Sequence, residues 1–283
     1  MTTLNFTRRL GVTLTVVAVI QVGFVQGAAG PQAGAPADSV RAPRTPTQHD
    51  VAKKLISRDS AMRLDGLRMA QMVRPQYASK ELRIGLIVSL DVEGAAYQAH
   101  LRANRQAGRG NGASARPVSV AHDRLLTTVA ALKDTMAIPA LAMSLGTGMT
   151  PIRALAEFGQ PATTMTLRVA NAPTEHEQVA DALLVLRLMA ENVSVRPLTP
   201  ATHAQLHAVA AKRLTGAQSL DVVLRAIDLA IVLGDADLRQ TVTALAANPG
   251  EAHRRGIQDA NQIAQVQRQA RDRLAGVPAQ PRS

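Results

Sequence analysis

Along most of this chain apolar residues recur at intervals of three and four, the spacing that lines one face of a helix. The pattern is clearest over residues 149–170. There Thr150 followed by Pro151 predicts a helix start, because a side-chain oxygen caps the first turn and proline's missing N–H is not needed at that point. Gly159 predicts the stop, since glycine takes positive φ without a Cβ clash, and Pro161 opens a second helix carrying Met165, Leu167 and Val169. Two short helices joined by one tight turn cannot bury their apolar faces alone. They must stack on like units.

The same reading extends in both directions. Ser60 predicts a helix with Met62, Leu67, Ala70 and Val73 that Pro75 ends, and Ser79 starts another through Leu82, Leu86, Ile87 and Leu90. A helix over 120–133 carries Leu125, Val129 and Leu132. A shorter one follows through Ile138, Leu141 and Leu145 to Gly146 and Gly148. Thr174 and Glu177 spell a capping box ahead of Val179, Leu183, Leu186 and Ala190. Thr199 with Pro200 opens the next helix and Gly216 stops it. Ser219 opens a helix that ends at Gly234, and Asp235 caps one with Leu238, Val242 and Leu245 inward. Ile263, Val266, Ala270 and Leu274 predict one long last helix over 251–275, polar on its other faces as a terminal cap of a stack must be.

The pattern fails in three places, and these set the domain plan. Residues 1–30 read as an export signal, with Arg8 and Arg9 before an apolar run over 10–20 and small residues from Gly27 to Gly30; extended to Val25, the run becomes an uncleaved anchor. Residues 31–47 recur in proline and predict a disordered linker. Residues 104–118 break the helical domain of 48–276 with glycines and with Arg105, Arg109 and Arg116, and 277–283 form a tail. The Gly108, Gly110 and Gly112 spacing follows no strand and has no Gly-Lys-Ser/Thr, so it cradles no phosphate.

Aligning the chain with itself brings Ile152-Arg153-Ala154-Leu155 over Leu186-Arg187-Leu188-Met189 and then over Leu224-Arg225-Ala226-Ile227, with the arginines 34 and 38 residues apart. With Gly159 and Gly234 closing two of these units, the pattern resembles the HEAT-repeat family over about residues 60–250. The resemblance implies an all-α solenoid of stacked two-helix repeats that acts as a scaffold or protein-binding surface; the family as a whole implies no one chemistry.

Composition agrees with an all-α chain, because aromatic residues make up 2% and Phe158, Tyr77 and Tyr97 are the aromatic residues beyond the N-terminal segment. No cysteine is present, which removes disulfides, thiol nucleophiles and cysteine-based zinc sites. The formal charge is +11, and only five of the 32 basic residues are lysine. Arginine's planar fork suits carboxylates, which makes Arg105, Arg109, Arg116, Arg254, Arg255, Arg268 and Arg271 candidates for holding an acidic protein or an anionic envelope polymer. Nucleic acid is not expected, as no aromatic residues interleave with the basic ones.

Catalytic constellations are not legible. His203 and His207 stand one helical turn apart, as two metal ligands would, yet Ala204 replaces the expected glutamate and no third ligand is identifiable. Glu175, His176, Glu177, His122 and Asp123 fit first helical turns, no serine lies in a Gly-x-Ser-x-Gly elbow, and no carboxylate pair is placed for glycoside cleavage. The expectation is an exported, periplasmic or secreted, non-enzymatic scaffold in the cell envelope, with no cofactor, metal or catalytic residue. The alternatives are an envelope enzyme or ligand-modifying protein on the same fold, and an accessory anchored in the inner membrane through residues 10–25.

Overall fold

Helix starts in this chain are built from short side chains and prolines. In the computed structural model, which describes residues 45–106, 116–173, 176–192, 197–216 and 218–276 (backbone alone for 105–106 and 116–119), every regular element is helical. The helices are α1 (Gln48–Leu55), α2 (Ser60–Ala70), α3 (Lys80–Gln106), α4 (Arg116–Ala131), α5 (Ile138–Met143), α6 (Met149–Phe158), α7 (Gln160–Ala170), α8 (His176–Glu191), α9 (Pro200–Thr215), α10 (Leu220–Leu233), α11 (Ala236–Ala247), α12 (Pro249–Arg254) and α13 (Ala260–Ala275). They belong to one compact unit, Thr45–Ser283.

Several predicted caps form. Thr199 Oγ1 accepts from the Thr202 amide at 3.1 Å, and Ser79 Oγ accepts from Leu82 at 3.2 Å. Gly159 at φ 64° and Gly234 at φ 78° close their helices in the region that disfavours side chains. Other boundaries move. Asp59, not Ser60, caps α2, and α2 ends at Ala70, so Pro75 starts a separate 3-10 turn. Helix α6 starts at Met149 with Gly148 at its N-cap, which places Pro151 third in the helix, still among the amides that need no intrahelical acceptor. Ser219 and Asp235 hold N-cap positions without accepting from the turn.

Two larger differences concern the gaps. Helices α3 and α4 extend into the expected insertion and leave 107–115 outside the described residues, as is Thr174 of the predicted capping box. The single last helix is two, because the chain turns at Gly256 (φ 82°) and Asp259 caps α13 by accepting from Gln262 at 2.9 Å.

Helices α3 to α9 each pack on the next but one, α3 on α5, α4 on α6, α5 on α7, α6 on α8, α7 on α9, α8 on α10 and α9 on α11, while α10 and α11 both pack on α13. Alternate helices therefore form two layers, and the aligned arginines Arg153, Arg187 and Arg225 fall on α6, α8 and α10 of the same one. The largest fully buried side chains are leucine and isoleucine, among them Leu82, Leu141, Leu155, Leu183 and Ile152. This interior depends on close backbone approach. A Cβ on Gly66 would lie 2.9 Å from Lys54 Cβ and 3.0 Å from the Leu55 amide nitrogen, so Gly66→Ala is expected to cost about 1–3 kcal/mol through overpacking. Gly94 has ordinary contact room, 3.5 Å to both His122 Cε1 and Ser144 Oγ. There Gly94→Ala is expected to add about 0.5–1 kcal/mol from helix propensity, both changes being read from urea midpoints.

Polar contacts fix the two edges of the array. On the edge holding the α2–α3, α4–α5 and α6–α7 connections, Arg83 donates to the carbonyls of Ala78 (3.1 Å) and Pro75 (3.4 Å) and pairs with Asp134 (3.7 Å), while Lys133 pairs with Glu157 at 3.8 Å. On the opposite edge, the buried Arg213 of α9 donates to the carbonyls of Ala170 (2.7 Å) and Ala172 (2.7 Å) and so satisfies the open end of α7. Arg255 does the same for α9 through Leu214 O.

Candidate interaction site

A cavity of about 780 Å³ lies on the edge of the α6–α7 turn and is built from two connections. Phe158, Gly159 and Pro161 line one side; Met189, Leu198 and Thr202 line the other. Gly159 turns the chain sharply enough for Phe158, half-buried at the end of α6, to face the start of α9, where Pro200 and the Thr199 cap hold the opposing wall. The buried Thr163 and Thr202 lie at its base, and Thr202 is held by Thr199 at 2.9 Å. The cleft is open, mainly apolar and of a size that takes a peptide side chain or a small ligand.

The predicted arginines do not form one surface. Arg105 and Arg116 fall at the facing ends of α3 and α4, and Arg109 lies outside the described residues. Arg254, Arg268 and Arg271 belong to α12 and α13, separated from α4 along its layer by α6, α8 and α10. Arg268 and Arg271 are exposed, while Arg254 pairs with Glu251. Arg255 departs from the expectation. It is 5% exposed and spends its guanidinium on Leu214 O and on Glu251 Oε2 at 2.8 Å, because the short α12 ends against the end of α9. It is a packing residue, buried away from solvent.

The helical histidines resolve differently from a metal pair. His207 Nε2 lies 2.9 Å from Asp237 and His203 Nε2 lies 3.8 Å from Asp235, joining α9 to α11. Among the described residues no group of three or more His, Asp or Glu is placed to hold a metal ion.

Two buried polar sites escaped the sequence. Asp228 of α10, 2% exposed, accepts from Gln269 Nε2 at 2.6 Å and Arg273 Nε at 2.7 Å on α13 and from Arg187 Nη1 at 3.3 Å on α8. His122 of α4 is wholly buried, stacked on Tyr97 of α3 with ring centroids 4.9 Å apart, and neither ring nitrogen has a hydrogen-bond partner. Burial lowers its pKa to about 4, against a smaller opposing pull from Glu93. The neighbouring Asp123 is raised by burial. Near the cap of α8, burial also raises Asp181, although the Gly146 amide donates to it at 2.7 Å. His122 and Asp123 are adjacent on α4, whereas Asp181 lies on α8.

The cleft was not legible because its walls come from turns some 35–40 residues apart, each of which reads as a connection. His122 carries no sequence signal beyond its i−3, i+3 and i+4 neighbours Ser119, Leu125 and Leu126. Comparison with family models, with curated proteins and with solved structures finds no match for the chain.

Proposed function

We propose that this is a non-enzymatic, HEAT-like helical-repeat scaffold, exported to the cell envelope, that holds a segment of another protein. The observation that carries the reading is the packing of each helix from α3 to α9 on its next-but-one neighbour, with the recurring arginines in register on one layer. That is how a chain of two-helix repeats propagates, and such arrays bind through extended surfaces and clefts between repeats. The cleft at Phe158 supplies an apolar anchor point. Arg268 and Arg271, free of acidic partners among the described residues, add attraction for an acidic segment. Export rests on the order of basic, apolar and small residues over 1–30.

Co-purification from envelope fractions, followed by titration of the recovered partner, tests the reading. Phe158→Glu is expected to weaken binding at least tenfold, consistent with a buried aromatic anchor. Arg268→Ala with Arg271→Ala is expected to weaken it less and to flatten its salt dependence. A partner insensitive to both sets of changes, or substrate turnover by the purified protein, would overturn the scaffold reading.

A further inference from the structure

Among the exposed large hydrophobic residues, the two with the greatest exposure are Met72 at 78% and Tyr77 at 68%, and both sit in the α2–α3 connection. Met136, at 57%, sits in the α4–α5 connection. A short chain of bonds ties these tips together. The Met136 amide donates to Asp134 Oδ1 at 3.0 Å; Asp134 pairs with Arg83 at 3.7 Å; and Arg83 donates to the carbonyls of Pro75 and Ala78 on either side of Tyr77. Three apolar tips therefore project from one edge of the array on a braced base.

The charges around them are sorted by availability. Asp134 is held by Arg83, Glu157 by Lys133, and Asp50 by the cap of α1, where Thr47 N donates to it at 3.0 Å. Glu81 sits in the first turn of α3, where the helix amides and Ser79 keep its pKa low. Arg74 and Lys80 bracket Tyr77 in sequence, are exposed, and have no carboxylate within ion-pair distance among the described residues. Arg74 and Lys80 are thus the cations at this edge left to meet an external phosphate.

From this arrangement we infer that the edge formed by Met72, Tyr77 and Met136 docks on the surface of an anionic phospholipid bilayer. Tyrosine settles at the headgroup level with its ring in the acyl boundary and its hydroxyl in water, methionine inserts flexibly, and basic residues pair with phosphates. The chain also enters the described structure on this edge. Gln48, just after Thr45, donates to Tyr77 O at 3.0 Å and accepts from the Ser79 amide at 2.7 Å. No helix among the described residues is long and apolar enough to cross a membrane, so the contact is interfacial. This inference goes beyond the scaffold reading and does not depend on its protein partner.

The chain has no tryptophan, so one introduced indole reports on one place. Full-length Tyr77→Trp is mixed with vesicles of phosphatidylglycerol or of phosphatidylcholine, with and without lipids brominated in the acyl chains. Val120→Trp serves as the control; it lies on α4 beside the His122–Tyr97 stack, about 30 Å along α3 from Tyr77 at 1.5 Å per residue. The expected result is a blue shift and bromine quenching for Tyr77→Trp on phosphatidylglycerol and neither for Val120→Trp. Adding Met72→Asp and Met136→Asp should abolish the quenching. Adding Arg74→Gln and Lys80→Gln should weaken partitioning at least tenfold, since each basic residue near an anionic surface contributes about fivefold. Unchanged Tyr77→Trp emission on both vesicle types, equal quenching of the two reporters, or a blue shift that needs added envelope protein instead of lipid would overturn the inference, the last assigning the edge to a protein partner.

Discussion

The urea midpoint of this protein is expected to fall steadily as the pH is lowered from about 6.5 to about 4, and His122→Leu is expected to remove most of that fall. The cause is the imidazole buried beside Tyr97 with both nitrogens unpartnered. Its pKa is about 4 in the folded chain against 6.5 when solvated, so across that window the unfolded chain binds the extra proton. Stability then rises with pH, is complete above about 6.5, and is lost toward 4; below 4 the residue adds no further loss. The span corresponds to at most about 3–4 kcal/mol, at roughly 1.4 kcal/mol for each pH unit. Leucine matches the volume and leaves nothing unpaired, so at neutral pH the variant should be more stable by about 1–3 kcal/mol, the usual cost of a buried polar group without a partner. Urea unfolding followed by circular dichroism at four pH values between 4 and 7.5 decides it. Parallel curves for wild type and variant would mean that the imidazole finds a partner in solution.

Asp228→Ala is expected to be the most damaging single change outside the apolar core. This carboxylate is almost wholly buried, and both of its oxygens are used by side chains from two other helices, Arg187 on α8 and Gln269 and Arg273 on α13. Removing it leaves two guanidinium groups converging on a space they cannot share. Breaking a buried pair in this way costs about 3–5 kcal/mol, and since Arg273 is itself 42% exposed and can turn to water, about 3 kcal/mol is expected. Asp228→Asn should cost less, because its amide oxygen still accepts. The comparison of the two midpoints separates charge from shape, and equal loss in both would show that packing alone sets the cost.

The sequence made the helices legible where the signal is local. Leu125 and Val129 on α4 with Leu132 just past its end, and Val179, Leu183 and Leu186 on α8, are buried as their spacing predicts. Boundaries failed where two local signals competed. Thr150 and Gly148 both offer a start for α6 and the glycine prevails. Over 251–275 the continuous apolar spacing concealed Gly256 and the Asp259–Gln262 cap, which together make a turn. Long-range relations were less accessible. Arg255 reads as one more surface arginine, and nothing near it in sequence announces that its acceptor is Leu214, 41 residues earlier. The Phe158 cleft is of the same kind, since Phe158 and Leu198 meet only through the stacking of α6 on α8 and α7 on α9.

Arg213 and Arg255 hold the ends of α7 and α9 on one edge of the array, and the Phe158 cleft opens on the other. A planar guanidinium bonded to successive carbonyls resists both sliding and twisting, which apolar contacts alone do not. Mechanically, the pinned edge is the spine of a book and the cleft is the gap between two of its pages. Widening the gap between the α6–α7 turn and the start of α9 would then rotate these helices about the arginine-bonded ends of α7 and α9.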